Sequence, residues 1–271
     1  MGPSSALTTL LAAQGDDGGG FTPPSVHESF FYDAVGDGTF IASWKVVGLL
    51  IIGTVAIMWF FLAAARRPQI VPTKFQFFAE GIYGFVRNGI AIEVMGRVGK
   101  GWAPFLATMF SFILVMNIYE IIPVAAVPVT SHFVFPAGLA LMVWVLYNFV
   151  GIRKHGVLGY LKSQCVIPGI PWPMHVLLIP MEFLSKILLQ PFTLAVRLFA
   201  NMFAGHMLVV VAGAGTIYLL ESGGLDYVMA VLPALASVGL WFFELLICAL
   251  QAYVFVLLTA IYLEGAMADS H

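Results

Sequence analysis

Long apolar runs dominate the chain, and the polar positions that interrupt them fall in a few short clusters. A bilayer core about 30 Å thick needs about 20 apolar residues of helix. The first such run is Ser43 to Ala65, SWKVVGLLIIGTVAIMWFFLAAA, closed by Arg66 and Arg67 and stopped by Pro68. It predicts one upright N-terminal span over residues 42–67, preceded by a tail over 1–41. Residues 74–100 differ, because Phe, Ile and Val alternate there with Lys74, Glu80, Arg87, Glu93, Arg97 and Lys100. That mixture predicts an amphipathic helix on the membrane surface within 68–101, broken where Gly81, Gly84 and Gly89 weaken it. Two further runs, about Trp102–Val127 and Phe133–Ile152, predict a helical hairpin over 102–153. A Pro-rich loop, VIPGIPWPM, lies at the end of 154–173. The last two segments, about Met174–Leu220 and Tyr227–Ala266, fill residues 174–266. Some 40 residues of helix reach about 60 Å at 1.5 Å per residue, too long for an upright span. They are therefore predicted as two long tilted helices, the first bent at Pro191. Residues 267–271 form a short tail.

Composition turns this pattern into a class. The chain is 61% hydrophobic and only 10% charged, with a mean hydropathy of +0.96. Ordinary soluble domains are about 45–50% apolar and about 25% charged. An all-α integral membrane protein follows, and soluble enzymes are excluded. A formal charge of −2 with no basic stripe excludes nucleic acid as a partner. The tail before the first span holds four Asp, one Glu and no Lys or Arg. The connectors VPVTSH and ESGGLD also lack Lys and Arg, whereas Arg66, Arg67, Arg153, Lys154 and Lys162 all fall on the opposite side. The positive-inside rule then places the N-terminus outside and the C-terminus in the cytoplasm, with five crossings. The N-terminus shows no targeting signal, and no internal repeat is visible.

Charges inside the apolar runs carry the chemistry, because each is expensive in hydrocarbon. Arg197 lies near the middle of a long apolar stretch, with no helix end within several turns. It is either one half of a structural salt bridge to Glu244 or Glu120, or a fixed cation on an ion path. At about 100° per residue, Lys186, Gln190, Thr193, Arg197 and Asn201 share one side of the helix, within about 40° of Arg197. His206, nine residues on, points the opposite way. On the final segment Glu244, Cys248, Gln251, Phe255 and Tyr262 share a face, with Thr259 beside them. Glu244 is deep in WFFELLICALQAYVF, where desolvation disfavours a charge unless it is paired. It reads as a structural partner of His206 or Arg197, or as a proton-relay group. An imidazole titrates near neutral pH, so His206 reads as a relay or as a structural hydrogen-bonding group. Asn117 and Glu120 suit a water-filled vestibule or a membrane interface, and Glu182 a relay or the surface. Cys165 and Cys248 have no ligand spacing and read as apolar fillers. No metal, haem or nucleotide motif occurs, so no cofactor and no catalytic group are expected.

LAVRLFANMFAGH, followed by FELLICALQAYVFVLLTAIYLEGA, resembles subunit a of the membrane sector of the rotary F-type ATP synthase. The similarity extends to the lone first span, the surface helix and the MNIYEIIPV segment. The resemblance implies that Arg197 is the family's essential arginine, Asn201 its asparagine one turn on, and Gln251 the glutamine opposite. Asn117 and Glu120 match the polar pair of the hairpin. His206 and Glu244 match two positions that often carry Glu and His in the reverse arrangement, which implies a coupled acid–imidazole pair. The spacing from Glu182 to Arg197 is one residue longer than in some relatives. What the family implies is a non-catalytic stator in a bacterial plasma membrane. Two aqueous half-channels there load and unload the carboxylates of a rotating c-ring. The implied partners are the c-ring, b-type peripheral stalk subunits, the remaining synthase subunits and membrane lipid. Proton translocation is expected of Arg197, Asn201, His206, Glu244 and Gln251. Asn117, Glu120, Glu182 and Tyr262 are expected to line the half-channels, and Gln251 to offer the guanidinium a neutral hydrogen-bond partner. The rivals are a self-contained proton-coupled secondary transporter, which requires discontinuous helices at a midplane site, and a membrane enzyme using His206 and Glu244 as acid and base.

Overall fold

A computed structural model describes residues 39–65, 73–121, 133–165, 172–222 and 226–268 of the chain. All elements among them are helical. Helix α1 spans Thr39–Ala65, and α2 spans Lys74–Val86, running into a π-helical turn, Arg87–Ile92, and a short α3, Glu93–Met95. Helices α4, Gly99–Ile121, and α5, Val134–His155, follow, then α6, Val157–Cys165. Helix α7, Trp172–Phe183, continues through a second π turn, Leu184–Leu189, into α8, Gln190–Ser222. Helix α9 is Asp226–Met267. The acidic tail, the VPVTSH connector, Arg66 and Arg67, most of the Pro-rich loop and the last three residues lie outside the described residues.

Four helical stretches among the described residues are long and apolar enough to cross a membrane: 99–119, 134–155, 178–222 and 227–267. Helix α1 has 27 residues, about 40 Å at the standard rise, with an apolar described part at Leu50–Ala64. The predicted hairpin arms are α4 and α5. The long segments are one uninterrupted helix from Trp172 to Ser222 and a second of 42 residues. The end of the predicted Pro-rich loop is helical, because α7 already starts at Trp172 with Pro173 in its first turn, where its missing N–H costs nothing.

Two expectations change. The surface helix runs as regular α-helix through Gly81 and Gly84, and Gly89 falls in the π turn Arg87–Ile92 without ending the helical run. It breaks at Gly96, whose φ of +60° is a conformation that side-chain-bearing residues avoid. Thr73 caps its start, accepting from the Gln76 N–H at 3.4 Å. The second change is near Pro191. The irregularity there is the π turn Leu184–Leu189, immediately ahead of the proline rather than at it.

The core gathers at one end of the bundle. Val86, Ile90 and Ala91 of the α2–π segment pack there with Leu106 and Ile113 of α4, Val143 of α5, Leu194 and Leu198 of α8, and Phe255 and Leu263 of α9. The amphipathic segment is thus anchored by one face, while Phe77, Phe78 and Phe85 stay exposed. Arg153, Lys154 and His155 occupy the last turn of α5, where a helix dipole favours cations. The Lys154 ammonium donates to the Met267 carbonyl, tying the ends of α5 and α9 to one side. Helices α8 and α9 pack along each other, with α9 also on α4 and α5. Beyond Met202 the packing thins, and no described side chain between 203 and 222 is fully buried.

Candidate functional site

The continuous helix Trp172–Ser222 carries Arg197 at its midpoint. Arg197 is exposed and enters no ion pair among the described residues. The structural salt bridge to Glu244 is therefore not formed, and the side chain of Glu120, on the last turn of α4, lies outside the described residues. Long helical side chains lean toward the N-terminus, and Tyr262 of α9 is within electrostatic reach of the guanidinium. The predicted polar stripe of α8 faces away from the chain's own core: Thr193, Arg197 and Asn201 are exposed, whereas Leu194, Ala195, Leu198 and Met202 on the other side are buried. Gln190 and Lys186 are half-buried, and Lys186 pairs with Glu182 at 3.0 Å, one turn earlier.

The polar face predicted on α9 is the inward one. Glu244, Cys248, Gln251, Phe255 and Thr259 are all buried, and Tyr262 is half-buried with its ring 5.8 Å from that of Tyr147. Asn201 reaches across and donates to the Gln251 side-chain oxygen at 2.7 Å. That oxygen was expected to serve the guanidinium; it serves Asn201 instead. Asn117 is fully buried between α4 and α9, where its amide donates to the Cys248 carbonyl at 3.4 Å. Cys248 fills the same junction, beside Met202.

Three buried polar atoms around this junction have no hydrogen-bond partner among the described residues: Asn117 Oδ1, Glu244 Oε1 and Gln251 Nε2. Residues 244, 248 and 251 are a turn apart on α9, and Asn117 binds the middle one, so all three atoms belong to a single seam. Buried polar atoms of this kind in native proteins are normally met by water or a ligand. Glu244 lies against Gly205 of α8: a Cβ at Gly205 would stand 3.0 Å from Glu244 Oε1. The glycine thus makes room for the carboxylate, next in sequence to the half-buried His206. Among the described residues no group of His, Cys, Asp or Glu has a metal-holding arrangement.

The sequence reading missed Trp144 and Tyr147 of α5. The Trp144 indole donates to the Ile187 carbonyl at 2.8 Å, and the Tyr147 hydroxyl to the Lys186 carbonyl at 3.0 Å. Pro191 was the available signal, since a proline leaves the carbonyl four residues earlier without its donor.

The fold and the site define an all-α multi-pass membrane protein with a lone cation on an open helix face and a buried polar seam behind it. Residues 46–264 match the family model described as ATP synthase A chain. A protein of a Nocardioides species named ATP synthase subunit a is 44% identical, over 98% of this chain and 99% of its own length. Relatives of the same name from Streptomyces lividans and Pseudarthrobacter chlorophenolicus are 41% and 42% identical, over 97% and 96% of this chain. The chain belongs to the ATP synthase subunit a family.

Proposed function

We propose that this proton-translocating membrane subunit of a bacterial F-type ATP synthase is the stator against which the c-ring turns. It offers the ring two half-channels separated by Arg197. The carrying observation is Arg197 itself: midway along an unbroken helix, exposed, and without an anionic partner among the described residues. A buried or lipid-facing cation is costly, and the described residues offer it no counter-charge; a passing ring carboxylate would supply one. One half-channel, entered from outside, uses Asn117, Glu120, His206 and Glu244 as its polar groups. The other passes Tyr262, Glu182 and Lys186 to the cytoplasm. Asn201 and Gln251 brace the two helices between them. The N-terminus is outside, the C-terminus is cytoplasmic, and b-type stalk subunits and lipid cover the remaining apolar surface. The chain itself is non-catalytic.

Magnitudes constrain the passage. Opposite unit charges at 4 Å attract by about 4 kcal/mol at an effective dielectric of about 20. A proton crossing 100 mV supplies about 2.3 kcal/mol. A bare contact pair would therefore hold the ring. The ring carboxylate must be reprotonated from the second half-channel as it leaves, and Arg197, which does not deprotonate, keeps the two channels from short-circuiting. The transporter alternative requires helices unwound at midplane, whereas α8 and α9 run unbroken past Arg197 and Gln251.

The test is proton-driven ATP synthesis in membrane vesicles carrying Arg197→Ala, with ring copurification as the assembly control. Loss of coupled synthesis in an assembled complex supports the reading. Synthesis at the wild-type rate makes Arg197 a structural cation and ends it.

A further inference from the structure

The π turn Leu184–Leu189 meets Pro191 in a way that deprives two carbonyls of their α-helical donors. The Gln190 N–H donates to the Ser185 carbonyl, five residues back. In an α-helix that N–H would serve Lys186. The next candidate donor to Lys186, five residues on, is Pro191, which has no N–H. Pro191 is also the residue that would normally serve Ile187. The Lys186 carbonyl therefore has no donor at either spacing in its own helix, and the Ile187 carbonyl loses its α-helical one. Two side chains of α5 meet them: Tyr147 takes Lys186 at 3.0 Å, and Trp144 takes Ile187 at 2.8 Å. Residues 144 and 147 are three apart, so they lie on one side of α5. The match is two donors to these two carbonyls, in antiparallel order.

We infer that Trp144 and Tyr147 are positioning residues that hold this π turn in place and so set how Glu182 and Lys186 are presented relative to Arg197. A π turn is an α-helix that has absorbed one additional residue. Such an extra residue can pass along a helix, and every residue it passes rotates by about 100°. With the turn held at 184–189, Glu182 lies within about 40° of the Arg197 direction, and its 3.0 Å pair with Lys186 sits on that side. Were the turn to move toward the C-terminus, so that its extra residue lay between Lys186 and Arg197, the lysine would swing to about 80° from the Arg197 direction. The two donors prevent this because moving the turn would leave their own buried polar groups unpaired as well. The functional half of the inference rests on the stator reading, in which Glu182 and Lys186 line the cytoplasmic half-channel.

The experiment measures passive proton conduction through membrane vesicles stripped of the peripheral catalytic sector, per ring-bearing complex. The variants are Trp144→Phe, Tyr147→Phe and the double variant, which keep the rings and remove the donors. Conduction is expected to fall by at least about fivefold in the double variant, the population shift that one unmet buried carbonyl produces. Pro191→Ala restores an N–H that reaches Ile187, so adding it to Trp144→Phe should recover most of the loss. A role in stability alone would change how much complex assembles, not conduction per complex, and that result overturns the inference. Conduction at the wild-type level, or no recovery with Pro191→Ala, overturns it too. The single variants, each keeping one donor, decide the question if the double variant does not assemble. Arg197→Ala run in parallel separates the two claims. If it uncouples while the aromatic variants conduct normally, only this inference fails. If it leaves coupling intact, the stator reading fails.

Discussion

Asn201 and Gln251 meet across α8 and α9 at 2.7 Å, and the partner on each side is replaceable only by a group of the same kind. Asn201→Ala should leave the buried Gln251 amide with neither end paired. The expected cost is about 1–3 kcal/mol, read as a lower thermal midpoint of the detergent-solubilised complex. Arg197 sets a different demand. Its exposure and its lack of an anionic partner among the described residues point to the charge and the planar fork together, not to packing. Arg197→Lys keeps the charge but loses the fork and concentrates it on one strongly hydrated atom. Coupled ATP synthesis in vesicles is expected to drop at least about tenfold with ring copurification unchanged. Gly205→Ala acts through space alone. A methyl 3.0 Å from Glu244 Oε1 pushes the carboxylate out of its position, so proton conduction should fall while assembly persists.

At the scale of elements, the proposed proton path runs along the seam between α4 and α9, and that reading predicts a seam held for function more than for stability. Asn117 makes one long bond, 3.4 Å to the Cys248 carbonyl, and its Oδ1 has no partner among the described residues. Replacing both partners of a polar contact by apolar groups can be neutral, whereas an unsatisfied buried atom costs the full desolvation penalty. Asn117→Leu, branched at Cγ like asparagine though larger, is therefore expected to cost no more than about 1–3 kcal/mol of stability while proton conduction falls. A thermal melt and a conduction assay on the same preparation check both halves. The elements themselves were largely legible. The spans, the hairpin and the two long helices are visible as apolar runs, because the transfer free energy of a span is a sum over its own residues. The break in the surface helix was misplaced for a physical reason: Gly81, Gly84 and Gly89 weaken a helix only by propensity, and the burial of Val86, Ile90 and Ala91 outweighs it.

For the whole molecule, the asymmetry between a packed end and an open face decides what can bind. Ala200 and Ala204 sit on the exposed side of α8 with Arg197, whereas Gly205, one residue on, faces Glu244. These three small residues thus divide between an open face and a packed one. Ala204→Trp should block close approach of an apolar partner helix without disturbing the core, since Leu194, Leu198 and Met202 point away from it. The expected outcome is loss of ring copurification with a normal helical circular dichroism spectrum for the purified chain. Retained ring binding would move the partner surface elsewhere.

The sequence by itself determined the class, the helices and the identity of the polar residues, since hydrophobic transfer and helical periodicity act over a few turns. It also showed Arg197 without a helix end nearby. Only the tertiary structure decided who meets whom. Asn201 and Gln251 are 50 residues apart in the chain, and Asn117 and Cys248 are 131 apart. Their pairing depends on the rotation and depth of separate helices, which packing sets and no local pattern encodes. The two aromatic donors on α5 show the same limit, because Pro191 announces a freed carbonyl but not which neighbouring helix will supply the proton.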